Sequence, residues 1–261
     1  MSGPPVADGA FARWLASRAG QALAEVRADL GHDDPPGLVA AGAKVVRDGL
    51  LTAFARWRPV DAVLIPDADD GTADDKAAAR GTADRVWIVD PLGGAAAYAD
   101  RERTDWGVHV ALWSRGAGLT AGAVANPARH QVLATDTPPA YPPLHPSAAT
   151  GGPVRLATGA GPPAGLVTAL GADVVAAGTA GQGIAAVVTG EADAYVHIVP
   201  GYEWDSAAPV AVATATGLYA SRIDGSALEY NQGDPRLPDL LVCRKDLAVR
   251  MLAALRGDGR V

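Results

Sequence analysis

The chain predicts an α/β fold with a large antiparallel component, and three observations carry that prediction. Two N-terminal stretches repeat their apolar residues at helical spacing. Three β-type runs between residues 106 and 135 follow one another across short Gly- or Pro-bearing breaks, as in a meander. Beyond a Pro-rich stretch at 138–146, strand-like and helix-like segments alternate. At 261 residues the chain is long enough for a large core, as one domain or as two halves, 1–145 and 146–261, that share a sheet.

Taken in order, Phe11, Trp14, Leu15, Ala19, Leu23 and Val26 recur on one face of a helix that Asp8 is placed to cap. Pro35 and Pro36 break the chain. A second helix over 38–57 then aligns Val46, Leu50, Phe54 and Trp57, and Pro59 ends it. Strands are expected at 62–65, 85–89, 106–113, 118–125 and 131–135. The second half should give strands at 154–157, 173–177, 194–198, 218–222 and 240–243. Its helices should lie near 163–170, across 183–189, over 205–216 and from 246 onward. The stretch 67–83, rich in Asp, Ala and Gly, reads as a mobile loop.

Composition narrows the function classes. Apolar residues make up 49% of the chain but aromatics only 5%, so Ala, Val and Leu must fill much of the core. A net charge of −7 argues against a nucleic-acid polymer as partner, which would require a basic stripe to displace counterions. One small anionic ligand in a local pocket remains compatible. No apolar run reaches the roughly 20 residues that cross a bilayer, so no membrane partner is expected. The single cysteine, Cys243, sits in a strand-like run, cannot form an internal disulfide, and reads as a buried inert thiol in a cytoplasmic protein.

Two segments are more specific. One is Val86-Trp87-Ile88-Val89-Asp90-Pro91-Leu92-Gly93-Gly94-Ala95, a hydrophobic run ending in an Asp-Pro turn. The other is Glu203-Trp204-Asp205-Ser206-Ala207-Ala208-Pro209. Between them lie Gly178-Thr179-Ala180-Gly181 and Gly190-Glu191-Ala192-Asp193-Ala194-Tyr195, and downstream Asp224-Gly225-Ser226-Ala227-Leu228-Glu229-Tyr230-Asn231. In this order the chain resembles the inositol monophosphatase superfamily from about residue 10 to 255. The Glu before Trp-Asp and the Asp-Gly segment resemble its 3′(2′),5′-bisphosphate nucleotidase branch.

The resemblance implies a layered α-β-α-β-α sandwich, a homodimer, and a site where carboxylates hold two or three Mg²⁺ ions for phosphate ester hydrolysis. Asp90, Asp205 and the Leu92 carbonyl match the family's metal ligands, and Asp67 stands where the family has a Glu. Other positions depart. Gly93 and Ala95 stand for an Asp and a Thr of the signature, Ala43 for a supporting Asp, and Gly183 for a substrate-contacting Lys. Read together, these departures lead to the expectation that phosphatase activity is lost or very weak. No cofactor, or at most one weak Mg²⁺, would be retained. The pocket would then serve another ligand or a metal-independent reaction, as in a specialised biosynthetic pathway. Asp67, Asp90 and Asp205 would be the reactive carboxylates, repulsion raising the pKa of one of them. Gly93, Gly94, Ala95, Gly178, Thr179, Gln182 and Glu203 would bind the ligand. The alternatives are a residual Mg²⁺-dependent bisphosphate nucleotidase or sugar or inositol phosphatase, and a non-catalytic scaffold. His109, alternating within its strand, reads as a strand residue.

Overall fold

The computed structural model describes residues 3–66, 77, 80–143, 152–159, 161 and 164–257. The first apolar repeat forms helix α1 (Asp8–Leu30), which buries Phe11, Leu15, Ala19 and Leu23 and ends at Gly31 with φ 67°. Asp8 does not cap it; its carboxylate instead bonds Arg85, at 2.9 Å, tying the helix start to the sheet. Helix α2 (Pro35–Trp57) begins at the two prolines that read as a break. A proline's missing N–H costs nothing in a first turn, and Asp34 caps the end by accepting from the Gly37 N–H at 3.1 Å.

The first sheet runs β1 (Ala62–Leu64), β2 (Arg85–Gly93), β3 (Gly107–Ser114), β4 (Gly118–Asn126) and β5 (Gln131–Ala134), in that order. Only the β1–β2 pair is parallel. Both faces are buried, because alternate residues point to opposite sides. Trp87 and Val89 pack with α1 and α2, whereas Val86 and Ile88 pack into the next layer. Full burial of such side chains contributes about 1.5–3 kcal/mol each.

The second sheet is made of β6 (Arg155–Thr158), β7 (Asp173–Ala176), β8 (Ala194–His197), β10 (Tyr219–Ser221) and β12 (Leu240–Cys243), in the order β10-β12-β8-β6-β7. Two helices fill the space between the sheets, α5 (Ala180–Thr189) and α6 (Glu203–Thr216), through Ile184, Val187, Ala207, Ala208 and Val212. On the far side α4 (Ala164–Leu170) and α7 (Ala248–Gly257) pack Leu166, Leu170, Met251 and Leu255. The result is the α-β-α-β-α layering. Short elements that the spacing does not reveal include α3 (Ala95–Ala99), a 3-10 turn at Pro127–Arg129 and the paired strands β9 (Gly201–Tyr202) and β11 (Arg236–Leu237). The last segment opens with a 3-10 turn, Lys245–Leu247, before α7. The boundary near residue 145 falls between the two sheets, yet α6 lies against β2, β3 and β4 of the first. The strand that carries Asp90 and the helix that carries Asp205 therefore pack against one another.

Candidate functional site

Asp90 lies where β2 loses its regular pairing. Pro91 has no N–H to give the ladder, and the register with β3 shifts between Asp90 and Gly93. The Leu92 N–H turns back and donates to Asp90 Oδ1 at 3.0 Å. Gly94 then takes the left-handed conformation, φ 86°, and opens α3. Asp205 sits in the first turn of α6, where a carboxylate complements the helix dipole, and accepts from the Tyr202 N–H at 2.9 Å. Four residues on, Pro209 withholds the N–H that would bond the Asp205 carbonyl.

Asp90 feels the charge of Asp205. Burial pushes Asp90 up to about 8, the charge of Asp205 adds to that, and the Leu92 N–H opposes it. Burial also raises Asp205, against the Tyr202 N–H and His197. A desolvated carboxyl in the field of a second negative charge favours a proton or a cation. Their hard oxygen donors fit Mg²⁺. Among the described residues no group of three or more His, Cys, Asp and Glu that could hold a metal is assembled. Asp67, with its acidic neighbours Asp69, Asp70, Asp74 and Asp75, lies outside the described residues.

The binding residues gather in two places. A β-carbon on Gly94 would lie 3.1 Å from Thr179 Cγ2, so the turn after β2 abuts the start of α5. Thr179 caps that helix, accepting from the Gln182 N–H at 3.1 Å, and Gln182 Oε1 accepts from Asn126 Nδ2 at 3.2 Å. Gly178 packs directly under the paired Arg103 and Asp105 side chains. These residues, with Arg129, line a cavity of about 430 Å³. Glu203 stands apart: its carboxylate accepts from the Asn231 and Gln232 N–H groups at 2.7 and 2.8 Å, bracing that loop.

Sequence reasoning passed over two histidines. His109 is the cross-strand partner of Asp90 and is 2% exposed, with Nδ1 3.7 Å from Asp90 Oδ2. Burial lowers its pKa to about 4, against a backbone hydrogen bond to Trp204. His197 Nε2 and Asp205 Oδ2 both border Gly201, within 3.2 and 3.4 Å of where its β-carbon would be. Only strand pairing reveals the first, since Asp90 and His109 are distant in sequence.

The inositol monophosphatase family model matches residues 156–257. A 3′-phosphoadenosine 5′-phosphate phosphatase of Mycobacterium leprae (strain TN) is 42% identical over 265 residues, covering 95% of this chain and 93% of the relative. A protein of the same name from Mycobacterium bovis (strain ATCC BAA-935 / AF2122/97) is 42% identical over 248 residues, 91% of this chain and 89% of its own. Among solved structures, Staphylococcal IMPase-II aligns with TM-score 0.73 at 18% identity, over 97% of this chain and 95% of that one. The suhB extragenic suppressor protein of Bartonella henselae aligns with TM-score 0.72 at 17% identity, over 97% and 100%. These likenesses show the fold.

The relatives correct two expectations. A pocket given over to another ligand, with phosphatase activity lost, does not agree with near-full-length identity of 42% to phosphatases. The expected lack of a cofactor rested on that loss and falls with it. At two of the departures another side chain occupies the space. A β-carbon on Gly93 would lie 2.9 Å from the His109 ring and 3.0 Å from Asp90 Oδ2, so the ground beside Asp90 is filled. Gly183 faces the Tyr195 ring, which leaves a longer side chain no room in that direction.

Proposed function

This chain belongs to the inositol monophosphatase family, and from that membership we propose that it is a Mg²⁺-dependent phosphatase that removes the 3′-phosphate of 3′-phosphoadenosine 5′-phosphate. The observation that carries this reading is the 42% identity over 95% of the chain to a phosphatase of that name. The reading is supported by the buried Asp90 carboxyl at the end of β2, which feels the charge of the half-buried Asp205 at the start of α6.

On this reading Asp90, Asp205 and the Leu92 carbonyl would hold the cation, with Asp67 as a further ligand. A Mg²⁺ held there would supply polarisation of the phosphate ester and a lowered pKa for an attacking water. The chain's own part is positioning. The Leu92 N–H fixes Asp90 Oδ1, and the Tyr202 N–H fixes Asp205 Oδ2. The turn at Gly93, Gly94 and Ala95 presents backbone N–H groups to the departing phosphate, next to Thr179 at the start of α5. The adjoining cavity, lined by Arg103, Arg129, Gly178 and Gln182 and also by Glu102, Asp105 and Glu191, takes the rest of the nucleotide, and Arg129, which is held by Glu191 at 3.3 Å, would turn to the second phosphate.

Steady-state kinetics of Asp90→Asn and Asp205→Asn test the assignment. Each should lower kcat on 3′-phosphoadenosine 5′-phosphate by about 10²-fold or more, the scale of losing one electrostatic partner. The far-ultraviolet circular dichroism should stay unchanged. Wild-type turnover in either variant removes that residue from the reaction. Arg129→Ala should raise KM several-fold and spare kcat; an unchanged KM would move the second phosphate elsewhere.

A further inference from the structure

We propose that the His109 imidazole is a nitrogen donor to the divalent cation held at Asp90, standing in for an acidic side chain at position 93. The proposal rests on the Mg²⁺-dependent reading above and goes past it by adding a ligand of a different chemical kind. Four observations carry it.

The first is register. Asp90 and His109 are direct cross-strand partners, and both share the face of the sheet that carries Ile88 and Ala111 into the layer of α5 and α6. Side chains so paired lie within reach of one another. The second is an unmet bonding demand. His109 is 2% exposed, yet its Nδ1 has no hydrogen-bond partner. Buried polar atoms in folded chains rarely lack one.

The third is distance. Nδ1 stands 3.7 Å from Asp90 Oδ2, beyond a hydrogen bond. Two donors each about 2.1 Å from a common cation, at an open angle, are separated by about this much. Asp90 Oδ1 is already engaged by the Leu92 N–H, which leaves Oδ2 for the cation. The fourth is the space around the ring, which Gly93 and Gly181 leave open.

Two glycines make room for the ring. Gly93 and Gly181 both lie against it, and a side chain at either would collide with the imidazole. An Asp at 93 and the ring of His109 in this position therefore exclude each other. An imidazole donor also shifts preference along the divalent series, so Mn²⁺ should bind more tightly than Mg²⁺.

The test is pulsed electron paramagnetic resonance of the full chain loaded with Mn²⁺, together with titration of free Mn²⁺. The native chain should show nitrogen modulation from a bound imidazole, and labelling with ¹⁵N-histidine should change it. His109→Phe keeps a ring of similar volume without a nitrogen; it should lose the modulation and bind Mn²⁺ about 10-fold more weakly. Bound Mn²⁺ without nitrogen modulation overturns the proposal, and so does no Mn²⁺ binding at all. Modulation that survives His109→Phe comes from another ring, such as His197, and overturns it too. The labelled native chain keeps the test decisive if His109→Phe fails to fold. Phosphate release takes no part in this readout. Nitrogen-bound Mn²⁺ without turnover would sink the proposed function alone, whereas turnover without nitrogen modulation would sink this inference alone.

Discussion

Glu203 shows how burial sets a proton affinity. Its carboxyl is pushed up to about 7 by burial, while the Gln232 and Asn231 N–H groups and the Arg80 charge pull the other way. A folded-state pKa above the unfolded one means that the native chain binds this proton more tightly. That contribution is complete below about pH 4.5 and is lost as pH rises through about 7. Glu203→Gln keeps an acceptor but does not titrate. Between pH 4.5 and 7, urea-unfolding free energies of the native chain should therefore fall relative to the variant, by roughly 3 kcal/mol at most. Parallel pH profiles would contradict this. At Cys243 burial, with the charge of Asp246, pushes the thiol up to about 12. Iodoacetamide at pH 8 should leave it unmodified in the folded chain, by mass spectrometry, and alkylate it only in urea. Rapid native alkylation would contradict the burial.

At the same scale, legibility of the site followed the range of each interaction. Asp90, Asp205 and Thr179 act through neighbours in sequence: Leu92, Tyr202 and Gln182 bond them within three residues. Such local bonds leave a spacing that can be read. His109 owes its place to a strand register, and Arg103 over Gly178 to a loop passing another loop. Spacing carries neither. The departures at Gly93 and Gly183 misled for the same reason, because what fills their space comes from a distant strand.

Among elements, α6 decides whether the site assembles, since it delivers Asp205 and packs on the sheet that carries Asp90. Its close seat on β4 depends on Gly122, whose β-carbon would lie 2.8 Å from Ala211 Cβ and 3.1 Å from the Ala208 carbonyl. Gly122→Val should push the helix off the sheet, costing about 1–3 kcal/mol as overpacking does. Turnover should fall although residue 122 touches no substrate. A Tm and kcat equal to the native values would show that α6 tolerates displacement. Element boundaries were legible where a cap announces them and not where context supplies them. Thr179 starts α5 three residues before the apolar run suggests. The two-residue strands β9 and β11 have no periodicity to read.

For the whole molecule, the layering means that neither half buries its own faces. Val86, Ile88 and Val124 of the first sheet pack against Ala207, Ala208 and Val210 of α6. A chain ending at residue 145 leaves that face uncovered and should show no cooperative thermal transition; a sharp one would establish an independent N-terminal domain. The homodimer implied by the resemblance is proposed here as well. Light scattering at micromolar concentration should give twice the mass of one chain, and a monomer mass would remove it.

The most direct test is phosphate release from 3′-phosphoadenosine 5′-phosphate by the native chain, with Mg²⁺ and after its removal by chelation. The account predicts release that depends on Mg²⁺, stops on chelation and returns when the metal is restored. Release unaffected by chelation, or none in the presence of Mg²⁺, would contradict it.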